Sequence, residues 1–187
     1  MMHFFSRDTL PISRWRNGGG ETREVVSFPP GIADFSWRIS IATLAADGPF
    51  SLFPGIDRVI TLLEGDGVSL YTNDEEKQRL VRHRPFAFAG EEAIFCRLTG
   101  SISSDFNVMT RRATHCASVA VHNDTFAPVP ESAGVVYVLS GEWSLGERRL
   151  TPDRGAWWDA GDGALLRRES VSASLLAVTL ARRQAEK

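Results

Sequence analysis

The chain has 187 residues, with 21 Lys and Arg against 23 Asp and Glu and a formal net charge of −2. That balance excludes a broadly basic surface built for nucleic acid, and a composition 43% hydrophobic and 24% charged excludes a disordered chain. No apolar run approaches the roughly 18 residues of a membrane span, and residues 1–8 lack the apolar core and small-residue cleavage site of a signal peptide. Cys96 and Cys116 belong to no Cys-x-x-Cys or Cys/His cluster, so no structural zinc is expected and a cytoplasmic setting with reduced thiols is.

Strand signals run along the chain. Phe35–Ala42 alternates large apolar residues with small or polar ones at period two. Arg58–Leu63 is short and β-branched and ends at the turn Glu64-Gly65-Asp66-Gly67; Val68–Thr72 follows, and Asn73-Asp74 opens another turn. Asp74–Leu80 is polar enough for one turn of helix. Pro85–Phe88, Ala93–Leu98, Phe106–Met109, Ser118–Val121, Val135–Leu139, Gly155–Trp158 and Ser174–Leu180 complete the predicted strands. The charged tail from Ala181 is expected to fray. Many short strands with Gly, Asn and Asp between them predict an all-β barrel or sandwich.

An internal repeat organises these strands. Val59–Gly65, Leu80 and Phe86–Gly90 are echoed by Val135–Gly141, Leu150 and Ala156–Gly161. Each copy is a strand running into Gly, a polar hairpin, a Leu, an aromatic strand and Ala-Gly. Two related β-units follow, expected at residues 1–112 and 113–187 and packed as one compact body.

This repeated unit resembles the cupin barrel, and its duplication resembles a bicupin. The segments Trp15–Glu24, Phe35–Ser40, Pro49–Gly55, Asp105–Arg111 and Gly134–Val138 are more specific and resemble the HutD/Ves family over nearly the whole chain. The resemblance implies an all-β, cupin-like jelly-roll β-barrel, duplicated as a compact bicupin in the cytosol. For the HutD branch it implies an association with histidine utilisation and a regulatory, ligand-binding role; the Ves branch is tied loosely to stress responses. The family brings no settled catalytic residues.

Metal-dependent cupins hold a divalent ion with three His and one Glu. On this sequence the Glu slot falls at Arg58 and the His slots near Leu52, Pro54 and Ala93, with a second-copy counterpart near Ala164. A guanidinium repels a metal ion. His3, His83, His115 and His122 have no paired spacing, so no metal and no cofactor are expected.

Arg58 at the former metal end suggests an anion site, because its planar fork of donors suits a carboxylate. Arg38 and Ser40 share one strand face, opposite Trp37, Ile39 and Ile41, and line the same mouth if that face looks inward. Arg97 and Arg111 are weaker candidates, being more often solvated. Asn17 and the Gly18–Gly20 loop edge the pocket by resemblance, while their residue types alone describe a turn. Trp15 and Trp37 offer stacking surfaces for a flat ligand, against the commoner role of core tryptophans. Asn107 shares a strand face with Asp105, Met109 and Arg111, and Asp105 reads as a structural partner of an arginine. An exposed Trp158 would mark a subunit interface.

Two functions from different classes follow. The first is a metal-free cupin that binds a small anionic carboxylate as a sensor or regulator, urocanate and formylglutamate being candidates from family context. The alternative is a metal-free isomerase, epimerase or hydrolase on a small polar substrate, which requires a titratable group with a displaced pKa in the cavity. Tyr71 with His83 is its only suggestive acid–base pair. A protein-contact role in stress would instead require a filled barrel. The expected partners are a small anion and a second copy in a homodimer, with neither nucleic acid nor membrane.

Overall fold

The alternating pattern is realised as strands from one end of the chain to the other. The computed structural model describes residues 1–184. Its strands are β1 (Met2–Ser6), β2 (Ile12–Arg14), β3 (Gly20–Phe28), β4 (Trp37–Leu44), β5 (Gly48–Pro49), β6 (Ile56–Glu64), β7 (Val68–Thr72), β8 (Glu75–Leu80) and β9 (Phe86–Ala89). They continue as β10 (Phe95–Leu98), β11 (Ser103–Arg111), β12 (His115–His122), β13 (Ala133–Ser140), β14 (Trp143–Leu145), β15 (Arg148–Leu150), β16 (Arg154–Trp158), β17 (Leu166–Arg168) and β18 (Ser174–Arg182). A 3₁₀ turn at Arg7–Thr9 is the sole helical element among the described residues.

The chain divides into two compact units, the first built on Pro11–His115 and the second on Met1–Leu10 with Cys116–Arg183. The first unit holds a six-stranded sheet, β2-β3-β4-β11-β6-β9, and a four-stranded sheet, β5-β10-β7-β8. Leu44, Ile60, Leu62 and Phe88 of the larger sheet pack with Val68, Leu70, Leu80 and Cys96 of the smaller and with Ile94. The second unit pairs β1-β16-β13-β18-β12 with β15-β14-β17, around Val136, Val138, Trp143, Leu145, Trp158 and Leu175. Hydrogen bonding therefore builds two open sheets in each unit, the sandwich of the two arrangements that the strand pattern allows, where the cupin resemblance implies a barrel. Face-to-face burial of the two apolar surfaces needs no closure of the strand ladder.

Several local expectations change. Asp74–Leu80 is not helical. Asn73 (φ 51°) and Asp74 (φ 63°) turn the chain back, and β8 pairs antiparallel with β7. Two positive φ values at a two-residue turn fit the right-handed twist of a hairpin, and the solvated side chains of β8 give it a polar, helix-like composition. The first ten residues leave the unit to which the sequence assigns them. β1 pairs with β16 from Met2↔Trp158 to Ser6↔Arg154, His3 stacks on Trp157 at 4.0 Å, and Phe5 covers Gly155, where an added Cβ would meet the ring at 2.5 Å. Such pairing across the chain leaves no local signature. Trp158 is buried, not exposed. Its indole fills the space that a Cβ on Gly134 would occupy, at 2.3 Å. At the tail, β18 extends to Arg182, and residues 185–187 lie outside the described residues.

Each unit contains the same pairing motif. β6 runs into Gly65 (φ 112°) and pairs with the aromatic β9. β13 runs towards Gly141 (φ 71°) and pairs with the aromatic β16. An L side chain is strained at these φ values, and a Cβ would also collide, with Ser103 in one case and the Ser172 carbonyl in the other.

Candidate functional site

Register builds the site. β11 pairs Asp105 with Ala42 and Leu62, Asn107 with Ser40 and Ile60, and Met109 with Arg38 and Arg58. Directly paired residues share a face of the sheet. Arg38, Ser40 and Ala42 of β4, Asp105, Asn107 and Met109 of β11, and Arg58 of β6 therefore project from one surface. Further along it, Ile60, Leu62 and Phe88 enter the core. Where the side chains become polar, the same surface lines a cavity of about 500 Å³. The β2–β3 hairpin contributes Arg14, Trp15, Arg16, Asn17 and Thr22, and the segment after β5 contributes Phe50, Ser51 and Phe53.

Arg58 is the central cation, only 7% exposed. Its guanidinium carbon lies 4.9 Å from the Phe88 ring centroid, 5.3 Å from Phe53 and 5.4 Å from Phe50. These ring faces partly compensate the lost hydration of the cation. Its hydrogen bonds are long: Nη1 donates to the Ser51 carbonyl at 3.4 Å and Nη2 to Asn107 Oδ1 at 3.4 Å. Nε is buried with no hydrogen-bond partner among the described residues. Burial brings the guanidinium down to about 10, with Asp105 opposing and Arg38 adding to the fall. Arg58 stays charged at neutral pH, with donor capacity to spare.

Asp105 is 1% exposed. One carboxyl oxygen accepts a hydrogen bond from Asn107 Nδ2, and Oδ2 has no partner among the described residues. Burial pushes its pKa up to about 7, against the pull of Arg58 and of the Asn107 hydrogen bond. Arg38 is half-buried and donates from Nε to Glu24 Oε1 at 2.9 Å. In the hairpin, Trp15 Nε1 donates to Thr22 Oγ1 at 2.8 Å, and Asn17 Oδ1 accepts from the Gly19 amide at 2.8 Å. The oxygen of Asn17 thus closes its own turn.

Of the residues singled out from sequence, Arg58, Arg38, Ser40, Asn17, Asn107 and Trp15 line this one cavity. Trp37 does not. It points to the opposite face of β4, is 1% exposed and stacks on Phe28 at 4.8 Å. The alternation that brings Arg38 and Ser40 inward turns Trp37 away. Arg97 lies over Tyr71, and Arg111 pairs with Asp34, both outside the cavity. Tyr71 bonds Glu76 and lines, with Arg97, a separate cavity of about 220 Å³; neither Tyr71 nor His83 lines the cavity of Arg58. Sequence reasoning misses Asp105 as a cavity group, although its alternation with Asn107 is visible. It also misses the phenyl cage of Phe50 and Phe53, which lies inside the Pro49–Gly55 segment that carries part of the family resemblance.

Among the described residues no three His, Cys, Asp or Glu side chains cluster. The cavity's donor set, four arginines and one carboxyl, does not fit a divalent cation.

The HutD family profile matches residues 7–177. The chain belongs to the HutD family. Among its relatives is protein Ves of Cronobacter sakazakii, 48% identical over 165 residues, which span 88% of this chain and 91% of that protein. The structure of HutD from Pseudomonas fluorescens SBW25 superposes with a TM-score of 0.82 at 27% identity, covering 98% of this chain and 100% of that one. A cupin 2 conserved barrel domain protein from Leptotrichia buccalis matches with a TM-score of 0.61 at 9% identity, over 96% of each chain. At that identity the likeness speaks for the fold alone. HutD family membership and cupin-like neighbours thus accompany the all-β architecture, and no helix among the described residues is long and apolar enough to cross a membrane.

Proposed function

We propose that the cavity of the first unit binds a small carboxylate, with Arg58 as its principal anchor. The observation that carries this reading is the state of Arg58. A buried cation held by three ring faces, with an unpartnered Nε and two long hydrogen bonds, has no counter-ion in contact with it among the described residues. A carboxylate supplies two acceptors in the plane of the guanidinium fork. Arg38, Arg14 and Arg16 give the mouth the same sign, which favours an anion's approach. The open volume also speaks against a filled unit working through protein contacts alone.

The same proposal includes a cytoplasmic, regulatory role in which the protein senses a metabolite. Urocanate and N-formylglutamate head the panel because HutD-like proteins are associated with histidine utilisation. It further includes descent from a duplicated cupin-like jelly-roll barrel, supported by the β6–β9 and β13–β16 pairs with their positive-φ glycines.

A thermal-shift screen of small carboxylates tests the site. An acid at about 100 times its Kd stabilises the folded state by roughly 2.7 kcal/mol. Arg58→Ala should weaken that acid by about 10- to 150-fold, the value of one or two charge-assisted hydrogen bonds. Saturable binding that survives Arg58→Ala would refute the assignment.

Asp105 favours a second reading. A carboxyl near neutral pKa inside a cavity is what a metal-free isomerase or hydrolase needs as its acid or base. Turnover of a bound acid, abolished by Asp105→Asn with binding intact, would establish it.

A further inference from the structure

We infer that Asp105 is itself a ligand-binding residue and acts in its protonated form: an anion seated on Arg58 draws a proton from solvent onto Asp105, whose O–H then donates to the ligand. This inference rests on the carboxylate site proposed above.

The geometry makes the case. β11 places Asp105 and Asn107 two residues apart on the cavity face. Asn107 joins the two charged groups, its Nδ2 donating to Asp105 and its Oδ1 accepting from Arg58. Asp105 therefore makes no direct ion pair with Arg58, and its Oδ2 is left without a partner among the described residues. A buried carboxylate oxygen with no donor is costly, whereas a protonated carboxyl can turn its O–H toward a ligand. A structural Asp would normally satisfy both oxygens within the protein.

The surrounding charges set the direction of the coupling. Arg58 faces Asp105 from β6 and favours its ionised form. Arg38 of β4 borders the same cavity but is engaged by Glu24 of β3. From β10 comes Cys96, whose thiol is pushed up to about 12 by burial and then by Asp105 and Asp47, so it stays neutral. Arg14 and Arg16 complete the charged lining, and Asp105 is its sole carboxyl among the described residues. An anion on Arg58 cancels the positive field that helps Asp105 ionise and adds a like charge nearby. Both effects favour the protonated carboxyl. Binding then takes up one proton from solvent, so affinity falls as pH rises above the pKa of the empty site.

The test uses acetate and N-formylglutamate, because neither titrates between pH 6.5 and 8.5. Titration calorimetry at pH 7.5 in imidazole and Tris, which differ in ionisation heat, reads proton uptake directly. With Asp105 near 7 in the empty site, about 0.8 proton should be taken up, and affinity should weaken about 25-fold from pH 6.5 to 8.5. Asp105→Asn carries a permanent N–H donor in place of the acid. It should bind at pH 8.5 within a few-fold of wild type at pH 6.5, without proton uptake. Wild-type binding that is flat with pH and takes up no proton overturns the coupling while leaving the carboxylate site standing. The same pH slope surviving in Asp105→Asn also overturns it. If neither these probes nor the wider carboxylate panel binds wild-type protein at any pH, the coupling and the carboxylate site fall together. The wild-type proton count stands even if the variant folds poorly.

Discussion

Replacing Asp105 by Asn should change stability in a way that depends steeply on pH. Asp105 ionises near the ordinary 3.8 in the unfolded chain and at about 7 in the folded one, because burial opposes the charge. Between these values the folded state holds a proton that the unfolded state has released. Stability from this group is therefore fully present below about pH 4, declines as pH rises, and levels off above about 7. The gap corresponds to roughly 4 kcal/mol at 1.36 kcal/mol per pH unit, of which about 3 kcal/mol falls between pH 4.5 and 8. Asn carries no titration, so Asp105→Asn should gain on wild type by on the order of 3 kcal/mol across that interval. Whatever the substitution costs in packing is common to both pH values and cancels. Other groups, such as His83 and His122, titrate equally in both proteins and also cancel. The assay is urea unfolding without ligand, followed by tryptophan fluorescence, with slopes compared to confirm that the same surface is exposed. A stability difference that is equal at pH 4.5 and pH 8 would refute a carboxyl displaced by burial, and with it the basis for proton-coupled binding.

Two further expectations concern the frame of the site. Gly20→Ala should destabilise the first unit by about 1–3 kcal/mol, read from urea unfolding, because the new Cβ would lie 2.2 Å from the Thr43 carbonyl and 3.0 Å from the Trp15 ring; it should also weaken carboxylate binding by displacing the β2–β3 hairpin. Of the two free thiols, half-buried Cys116 should react with Ellman's reagent in the folded protein, whereas buried Cys96 should wait for unfolding, since its thiol is held at about 12; equal rates would mean the core of the first unit opens readily.

Side-chain period makes much of the first unit legible. Arg38 and Ser40 fall opposite Ile39 and Ile41 in any strand, so their common face follows from alternation alone. The same rule removes Trp37, which stands next to Arg38 and must face away from it. Arg58 is located by its spacing from Gly65, a turn that requires positive φ. The environment of Asp105 is invisible in sequence: whether a carboxyl meets an arginine directly or through Asn107 depends on the β11–β6 register. The partner of the first strand is hidden for a related reason, since β1 and β16 lie some 150 residues apart in the chain.

The sequence by itself determined the all-β class, the shared face of Arg38 and Ser40 opposite Ile39 and Ile41, and the family to which the chain belongs. These follow from residue type, alternation and short spacing, which are local properties of the chain. Only the tertiary structure decided which strands become neighbours, that Phe50, Phe53 and Phe88 enclose Arg58, and that Asp105 keeps an oxygen without a partner. Those facts depend on burial and on non-local hydrogen bonding, and desolvation is what sets Arg58 and Asp105 apart from a solvated arginine and aspartate.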